Sequence, residues 1–419
     1  MSALADGPTL SADVDRQLEG LPQADLAVTV PTYNNAATVP VVVDAIRAGL
    51  EKHFAGMTTV LINADAGSSD ATAERLADSG LPLVRAHHES PAAQLAAVPF
   101  HGVPGRGAAL RLAVGVARRL GARALVVLEA DVTSISGEWL ERLARPVLEQ
   151  GADLVLPLHA RQRYDGTITN LVLAPLVGAL YGRRLHQPLA GARALSTRVL
   201  ERLAADPRWP APGRSMTDLW IEGTAIAEGF AVHEARLGRW RVESETRTAD
   251  LPTMVAQTLG GVFTVMDGYE DLWLQAAGGA PVPVEGPPAP ASDEPARIDV
   301  ERMVGAFGRG LRDLGTIWEH VLAPETLGDV LSLETDDVER FRFPDDLWAH
   351  VVYDFALGHH YNVVYRDHLL RSIVPLYLGR TAAFVLATRR RDAAAVEAAL
   401  AAVADAFERE KPYLVDRWR

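Results

Sequence analysis

The first half of the chain alternates short apolar runs with longer segments whose apolar residues recur at helical spacing. Apolar runs at 26–30, 58–62, 83–85, 125–129 and 154–157 predict β-strands, and the fourth of them ends at Glu129. Segments that follow these runs predict helices over 39–54, 71–77, 108–120 and 167–181. Strands that alternate with helices indicate an α/β fold, with a mostly parallel sheet and helices on both faces.

The second half of the chain reads as helices after a break in composition. Residues 278–296 are rich in Pro, Gly and Ala and have no apolar periodicity, which predicts a linker. Beyond them the apolar residues of 303–318 and 396–407 follow helical spacing. We therefore expect a weakly ordered lead-in over 1–24, an α/β domain over 25–277, a linker over 278–296 and an all-helical C-terminal domain over 297–419.

Composition narrows the classes of partner. The chain of 419 residues carries a net charge of −13, which argues against nucleic acid as the main partner. It has no cysteine, so disulfides and thiolate metal sites are excluded. The N-terminus lacks the pattern of a signal peptide, and no uncharged apolar run approaches the about 20 residues of a membrane helix. We expect a cytoplasmic protein without a membrane span.

Polar side chains follow three of the predicted strands. Tyr33 and Asn34 come after the first strand, Asp65 after the second, and the segment 129–131 after the fourth. A glycine-rich turn at 105–107 precedes the helix at 108. Ligands of parallel sheets bind at the carboxyl ends of the strands, so we expect these groups to converge there.

The chemistry of these groups has two readings. Glu129 and Asp131 are two residues apart on an extended segment and could share a divalent cation that holds a diphosphate, or they could be two solvated acids. Asp65 could accept the N3–H of a uracil ring, or it could form an Asx turn before a helix capped by Asp70. Free N–H groups and a cation at Arg106 would suit a phosphate.

Further candidates lie between residues 161 and 222. Asp218 and Trp220 at a helix start could contact a sugar, although an acid there also favours the helix dipole and a tryptophan in a helix is more often core. Arginines are concentrated before this helix and would suit a small carboxylate or phosphate, while Arg183 and Arg184 are better explained as solvated surface residues. They are Arg161, Arg163, Arg183, Arg184 and Arg193.

Taken together, these segments resemble the GT-A glycosyltransferases that make glucosylglycerate, glucosyl-3-phosphoglycerate and mannosylglycerate. The matches keep the family's order and extend over about residues 25 to 419. They are Val30–Asn34, Gly105–Leu110, Glu129–Ser134, Arg161 with Tyr164–Thr169, Gln187–Gly191, Asp218–Trp220, and in the helical tail Val352–Ala356, Pro375–Arg380 and Lys411–Leu414.

The resemblance implies a GT-A fold and a retaining, homodimeric enzyme. It would move a hexose from a nucleotide-diphosphate sugar, with UDP-glucose favoured over GDP-mannose, to glycerate or 3-phosphoglycerate. Mg²⁺ or Mn²⁺ would be bound by Asp131, and the catalytic residues would be Asp131, Asp218 and Arg161. The implied donor-binding residues are Pro31, Tyr33, Asn34, Asp65, Gly105, Arg106, Glu129 and Ala130, and the implied acceptor-binding residues are Arg161, Thr169, Ala190 and Gly191.

Three departures from the family pattern keep other functions open. Glu129 replaces an Asp, Asn35 stands where a Glu is usual, and the family's metal-binding His is absent from the segment Leu237–Glu243. Glu243 or Glu245 could supply an oxygen ligand instead. The alternatives are a GT-A protein with a lipid or polysaccharide-precursor acceptor, a non-catalytic sugar-nucleotide binder, and an α/β scaffold whose helical tail mediates assembly.

Overall fold

The structure is a computed structural model that describes residues 10–88, 102–189, 191–207, 209, 217–243, 251–287, 298–333 and 336–418. The chain forms two compact units, and each is made from three separate segments. The sheet unit comprises Met1–Arg161, Leu189–Ala249 and Val282–Ser292. The helical unit comprises Gln162–Pro188, Asp250–Pro281 and Asp293–Arg419.

A mostly parallel sheet of eight strands organises the sheet unit, as predicted. Its strand order is β10-β8-β5-β7-β4-β1-β2-β3, and a separate two-stranded sheet joins β6 to β9 in the helical unit. Neighbouring strands of the large sheet are parallel except β7, which is antiparallel to both β4 and β5. The strands are β1 Leu26–Thr32, β2 Thr59–Asp65, β3 Leu83–His87, β4 Ala124–Val127, β5 Leu154–Ala160, β6 Arg183–Arg184, β7 Arg193–Ser196, β8 Val232–Arg239, β9 Ala280–Pro281 and β10 Val284–Glu285.

Helices account for most of the remaining described residues. In chain order they are α1 Ala12–Leu18, α2 Val39–His53, α3 Thr72–Ala77, α4 Arg106–Arg119, α5 Gly137–Glu149, α6 Ala174–Tyr181, α7 Thr197–Ala204, α8 Thr217–Ala227, α9 Leu251–Gly268, α10 Glu270–Trp273, α11 Val300–Asp313, α12 Gly315–Val321, α13 Pro324–Leu331, α14 Asp345–His360, α15 Arg366–Ser372, α16 Val374–Thr388 and α17 Ala393–Arg417. A π-helical turn over Thr169–Leu173 precedes α6, and a 3₁₀ turn covers Val338–Arg340.

The two faces of the sheet are covered by different helices. Side chains alternate between the faces of a strand, so Leu26, Val28 and Val30 of β1 share one face. They pack there with apolar residues of α2 and α5 in one buried cluster. The helix α4 packs against β1 and β2. Parallel sheets are usually covered by helices on both faces in this way. This confirms the prediction of helices around a mostly parallel sheet.

The core of the helical unit is rich in tryptophan. Trp273, Trp318 and Trp348 are fully buried. Each indole N–H donates to a backbone carbonyl oxygen, with distances of 2.9 Å to Met266, 3.1 Å to Ser372 and 2.7 Å to Leu171. These bonds satisfy the polar end of each buried ring. The bond from Trp348 joins the C-terminal helices to the segment before α6.

The structure corrects several predicted boundaries. Residues 162–188 and 250–281 belong to the helical unit, although we expected them in a domain over 25–277. The expected lead-in contains the helix α1, in which Gln17 exchanges two hydrogen bonds of 2.9 Å with the backbone of Arg85. The expected linker contains β9 and β10, and its residues 288–296 lie outside the described residues. The strand expected to reach Glu129 ends at Val127.

One stretch of the described residues, Arg366–Thr388, is long and apolar enough to cross a membrane by length and composition. Within the structure 72% of its apolar window is buried inside the protein, as in the core helix of a soluble protein. It forms two helices, α15 and α16, which belong to the helical unit. The feature therefore does not establish a membrane span.

Candidate functional site

The predicted groups meet at one edge of the large sheet. The carboxyl ends of β1, β2 and β4 lie there because these strands are parallel, with Thr32 paired to Asp65. Since β7 is antiparallel, its amino end lies at the same edge, with Arg193 paired to Val127. A cleft at this edge is lined by Pro31, Asn35, Gly102, Val103, Arg106, Glu129, Ala130 and Asp131.

The acidic turn lies directly after β4. The N–H of Leu128 still donates to the carbonyl of Thr29, at 2.9 Å, so the chain stays extended up to the turn. Glu129 and Asp131 are only 4% and 3% exposed, and both line the cleft. The hydroxyl of Thr38 donates to the carbonyl of Ala130, at 2.7 Å, and fixes the turn to the start of α2. The alternative of two solvated acids is therefore wrong.

A short antiparallel pairing brings the segment 239–243 alongside this turn. The N–H of Glu243 donates to the carbonyl of Asp131 at 3.0 Å, and Val132 and Val242 form an isolated bridge. The exposed Glu243 is thus a backbone neighbour of Asp131. Glu245 lies outside the described residues. Within the part of the chain that the structure describes, no group of three or more His, Cys, Asp or Glu side chains could hold a metal ion.

The side chain of Glu129 packs over the backbone at the amino end of β7. A Cβ atom built on Gly191 would lie 2.6 Å from the Cγ of Glu129 and closer still to its Cδ and Oε1. Only glycine fits at this position without moving Glu129. The indole N–H of Trp240 approaches the same carboxylate at 3.4 Å. Ala190, predicted beside Gly191, lies outside the described residues.

Arg106 is held by the protein at the rim of the cleft. It begins α4 directly after Gly105, whose φ of 62° lies in the left-handed region. Its Nε donates to both carboxylate oxygens of Asp218, at 3.2 and 3.1 Å, and its Nη2 donates to the carbonyl of Gly191, at 2.6 Å. The side chain is 8% exposed yet lines the cleft. Its contact with phosphates stays a prediction.

Asp218 lies between two guanidinium groups. Besides Arg106 it accepts from the Nη2 of Arg193, at 2.5 Å, and its carbonyl accepts from Nη1 of the same residue, at 3.2 Å. Asp218 and Arg193 are both buried. A buried charge needs such partners because its removal from water is costly. Asp218 therefore orients Arg106, and its predicted catalytic role stays a prediction.

Glu222 extends this buried network and was missed as a site residue by the sequence analysis. Its Oε2 accepts from the N–H of Leu189 at 2.8 Å, and its Oε1 lies 3.5 Å from Nη1 of Arg193. Burial raises the pKa of Glu222 to about 7, against the lowering effect of Arg193. The signal in the sequence was the four-residue spacing from Asp218 on the otherwise apolar helix α8.

The turn that follows β2 binds mainly to itself and to β1. The carboxylate of Asp65 accepts from the hydroxyls of Thr32 and Ser68, at 2.7 and 2.6 Å, and from the N–H groups of Gly67 and Ser68, at 2.9 and 2.8 Å. Asp65 thus forms an Asx turn, the second of the two alternatives that the sequence left open for it. Asp70 accepts from the N–H of Thr72 at the start of α3.

Tyr33 and Asn34 lie beside this turn. The N–H of Tyr33 donates to the side-chain oxygen of Asn35, and the N–H of Asn34 donates to the hydroxyl of Ser68. Asn34 has a φ of 52°, which asparagine tolerates better than most residues. Asp65, Tyr33 and Asn34 are at the predicted edge but are not among the described residues that line the cleft.

The predicted acceptor residues are divided between the units. Arg161 follows β5, and its Cζ lies 5.9 Å from the ring centroid of Trp240, within the range of a cation–π interaction. His159, between Trp139 and Trp240, has its pKa lowered to about 3 by burial and by Arg161, so it is neutral. Thr169 is buried in the π-helical turn of the helical unit.

Among known proteins, solved structures are similar to this chain. No family model matches the chain, and no curated protein matches it. Glucosyl-3-phosphoglycerate synthase from Mycobacterium tuberculosis, in complex with Mn²⁺, UDP and glucosyl-3-phosphoglycerate, is 23% identical, with a TM-score of 0.45 over 63% of this chain and 85% of that chain. Its complex with Mn²⁺, UDP-glucose and glycerol 3-phosphate is 22% identical, with a TM-score of 0.44 over 63% and 86%.

A third similar structure is described as a mycobacterial protein and is 24% identical, with a TM-score of 0.45 over 63% of this chain and 80% of that chain.

Proposed function

We propose that the chain is a metal-dependent glycosyltransferase. It moves a hexose from a nucleotide-diphosphate sugar, most readily UDP-glucose, to glycerate or 3-phosphoglycerate. The proposal rests on one observation, which is a cleft at the carboxyl edge of a mostly parallel sheet that is lined by two buried acids and a guanidinium group. Glu129, Asp131 and Arg106 all line that cleft, and donor, acceptor and metal follow from the sequence resemblance.

The acids of the cleft fit Mg²⁺ or Mn²⁺. Carboxylate oxygens suit these cations, and Mg²⁺ is usually held by one or two carboxylates together with substrate phosphates. Glu129 and Asp131 offer such a donor set without a closed cage of protein ligands. Asp131 would bind the ion, and Glu243 is the nearest backbone candidate for a further oxygen ligand. When bound, the ion supplies Lewis-acid stabilisation of the departing diphosphate.

The other residues of the site would bind and orient the donor and the acceptor. Arg106 places a fixed positive charge at the start of α4, where a diphosphate would also meet the free N–H groups of the helix. Arg161 provides a cation for the carboxylate of the acceptor. In the proposed transfer the bond from C1 of the sugar to the diphosphate breaks, the acceptor oxygen bonds to C1 on the same face, and its proton passes to the leaving phosphate.

The test is donor binding and transfer in the Asp131→Ala variant. We expect UDP-glucose with Mg²⁺ to raise the melting temperature of the wild-type protein, and 3-phosphoglycerate or glycerate to be glycosylated at its expense. Asp131→Ala should remove the metal-dependent shift and the release of UDP. Asp153→Asn is the matched control, since Asp153 is also a buried acid but precedes β5 at the opposite edge of the sheet. Unchanged turnover in Asp131→Ala would contradict the proposal.

A second candidate is a sugar-nucleotide binder that does not transfer, or an enzyme with a lipid or polysaccharide-precursor acceptor. It is favoured by the predicted catalytic residue Asp218, whose carboxylate is bonded to two arginines. Metal-dependent donor binding without glycosylation of either glycerate would support this candidate. No shift with any UDP- or GDP-sugar would leave the scaffold function.

We also propose a cytoplasmic homodimer, as the composition and the resemblance suggest. Light scattering at two protein concentrations would measure the mass in solution. A constant mass near 45.2 kDa, that of a single chain, would contradict the dimer.

A further inference from the structure

The loop that enters β7 is tied down by one buried carboxylate. Leu189 has a φ of 69°, an unfavourable conformation for a residue with a branched side chain. Its N–H donates to Oε2 of Glu222, at 2.8 Å, and this bond offsets the cost of the conformation. Glu222 is 2% exposed and lies on α8, far along the chain from the loop.

The loop also contains Gly191, which contacts two residues that line the cleft. Two residues beyond Leu189, the carbonyl of Gly191 accepts from Arg106, at 2.6 Å. The same glycine leaves the space in which the side chain of Glu129 lies. A displacement of the loop would therefore move the partner of one cleft residue and the packing surface of another.

The same carboxylate acts on Arg106 by a second route. Its Oε1 lies 3.5 Å from Nη1 of Arg193, whose Nη2 donates to Asp218, and Asp218 accepts from Nε of Arg106. Arg193 is fully buried, so its guanidinium has a fixed set of neighbours. Glu222 thus reaches Arg106 through the loop on one side and through Arg193 and Asp218 on the other.

We propose that Glu222 is a positioning residue that holds Leu189 and, two residues further on, Gly191, and through them Arg106 and Glu129, in the geometry that binds the donor. It does not contact the donor itself. The bond by which Glu222 anchors Leu189 does not depend on what the cleft binds. Its consequence for ligand binding rests on the proposed function.

The chain offers a matched control for the stability effect of removing a buried acid. Asp153 also accepts from a backbone N–H, that of Ala231 at 3.0 Å, and pairs with an arginine, Arg198 at 2.8 Å. It precedes β5, at the edge opposite the cleft. Asp153 also accepts from the hydroxyl of Ser196, at 2.8 Å, at the carboxyl end of β7. Substitution at Asp153 should therefore destabilise the sheet unit at the end of β7 that lies away from the loop.

The first measurement is hydrogen–deuterium exchange of the peptide that contains Leu189, in the wild type, Glu222→Ala, Glu222→Gln and Asp153→Asn. Loss of the acceptor of a buried N–H group is worth about tenfold to hundredfold in the local opening equilibrium. We expect faster exchange of this order in Glu222→Ala and a rate within about threefold of the wild type in Glu222→Gln, whose amide oxygen can still accept. Asp153→Asn should leave this peptide unchanged.

The second measurement is the dissociation constant for UDP-glucose with Mg²⁺, at temperatures well below the unfolding transition of each variant. Glu222→Ala should weaken binding about tenfold or more, with Glu222→Gln close to the wild type and Asp153→Asn unaffected. Wild-type protein that binds no nucleotide sugar would overturn the proposed function, while the exchange result would still decide the anchoring. The positioning role would be overturned if the Leu189 peptide of Glu222→Ala exchanged at the wild-type rate. It would also be overturned if Asp153→Asn accelerated the exchange of this peptide as much as Glu222→Ala does.

Discussion

The replacement of Gly191 by alanine tests the packing of the cleft most directly. The φ of this glycine does not lie in the left-handed region, so alanine costs nothing through backbone conformation. The cost arises from the new Cβ, which would lie 2.6 Å from the Cγ of Glu129. It would lie 2.1 Å from the Cδ of the same side chain. Carbon atoms in favourable contact are about 3.5 to 4.0 Å apart, so one of the two residues must move by about 1 to 2 Å.

We expect Gly191→Ala to lower the free energy of unfolding by about 1 to 3 kcal/mol, the usual range for an overpacked interior. Donor binding should weaken at the same time, because the displaced groups are Glu129 and the carbonyl that holds Arg106. Urea denaturation followed by circular dichroism measures the first effect, and calorimetric titration with UDP-glucose and Mg²⁺ measures the second. Gly20→Ala is the control, since a Cβ at Gly20 meets nothing within 4 Å.

A double-mutant cycle identifies the clash as the cause. Glu129→Ala removes the Cγ and Cδ that the new Cβ would meet, so Gly191→Ala should cost much less in that background. The predicted coupling is about 1 to 2 kcal/mol in favour of the double variant. Additive effects of the two substitutions would refute the packing argument, and so would a Gly191→Ala protein as stable as Gly20→Ala.

Three further predictions concern charge, metal binding and the helical unit. Burial raises the pKa of Glu222 from 4.5 to about 7, so the folded protein holds this proton more tightly than the unfolded chain does. The free energy of unfolding should therefore fall by about 3 kcal/mol as the pH rises from about 4.5 to 7. Urea titrations from pH 4.5 to 8 should show this slope in the wild type and not in Glu222→Gln, and parallel curves would contradict it. Glu243→Gln should weaken the binding of Mn²⁺ in the presence of UDP about tenfold, measured by calorimetry, with the exposed Glu74→Gln as control, and equal affinities would exclude Glu243 as a ligand. Trp348→Phe should cost about 1 to 3 kcal/mol in urea denaturation because the buried carbonyl of Leu171 loses its donor, and a loss no larger than that of an exposed substitution would show that the bond contributes little.

Much of the sheet unit could be predicted from hydrophobic patterning. β1 and β2 were each located to within about three residues at either end because both are apolar runs bounded by turn-forming residues. Their shared direction followed from the helices between them, and this placed Asp65 and the acidic turn at the same edge. The burial of Glu129 and Asp131 did not follow, because it depends on β7 and on the segment after β8, which are distant in sequence.

The hydrogen-bond network around Arg106 could not be predicted from the sequence for a related reason. Nothing in the spacing indicates that Arg106 bonds to Asp218, because their separation of 112 residues is bridged only in the folded sheet unit. The antiparallel β7 was also not predicted. It has only four residues, too few for a periodic signal, and it alone brings Gly191 to the edge where the carboxyl ends of the other strands meet.

The interleaving of the two units has a consequence for any attempt to produce them separately. A fragment that stops at residue 277, where the sequence suggests a domain boundary, would lack β10. The strand β8, still paired with β5, would then be the open edge of the sheet, and such an edge is a template for aggregation. A fragment that starts at residue 297 would lose the carbonyl that Trp348 needs, and those of Leu180 and Ala276 to which Lys411 donates. During synthesis the sheet unit stays incomplete until residue 285 has left the ribosome, and the helical unit until its last helix has. A fragment meant to hold either unit therefore has to include residues from both sides of the predicted boundary.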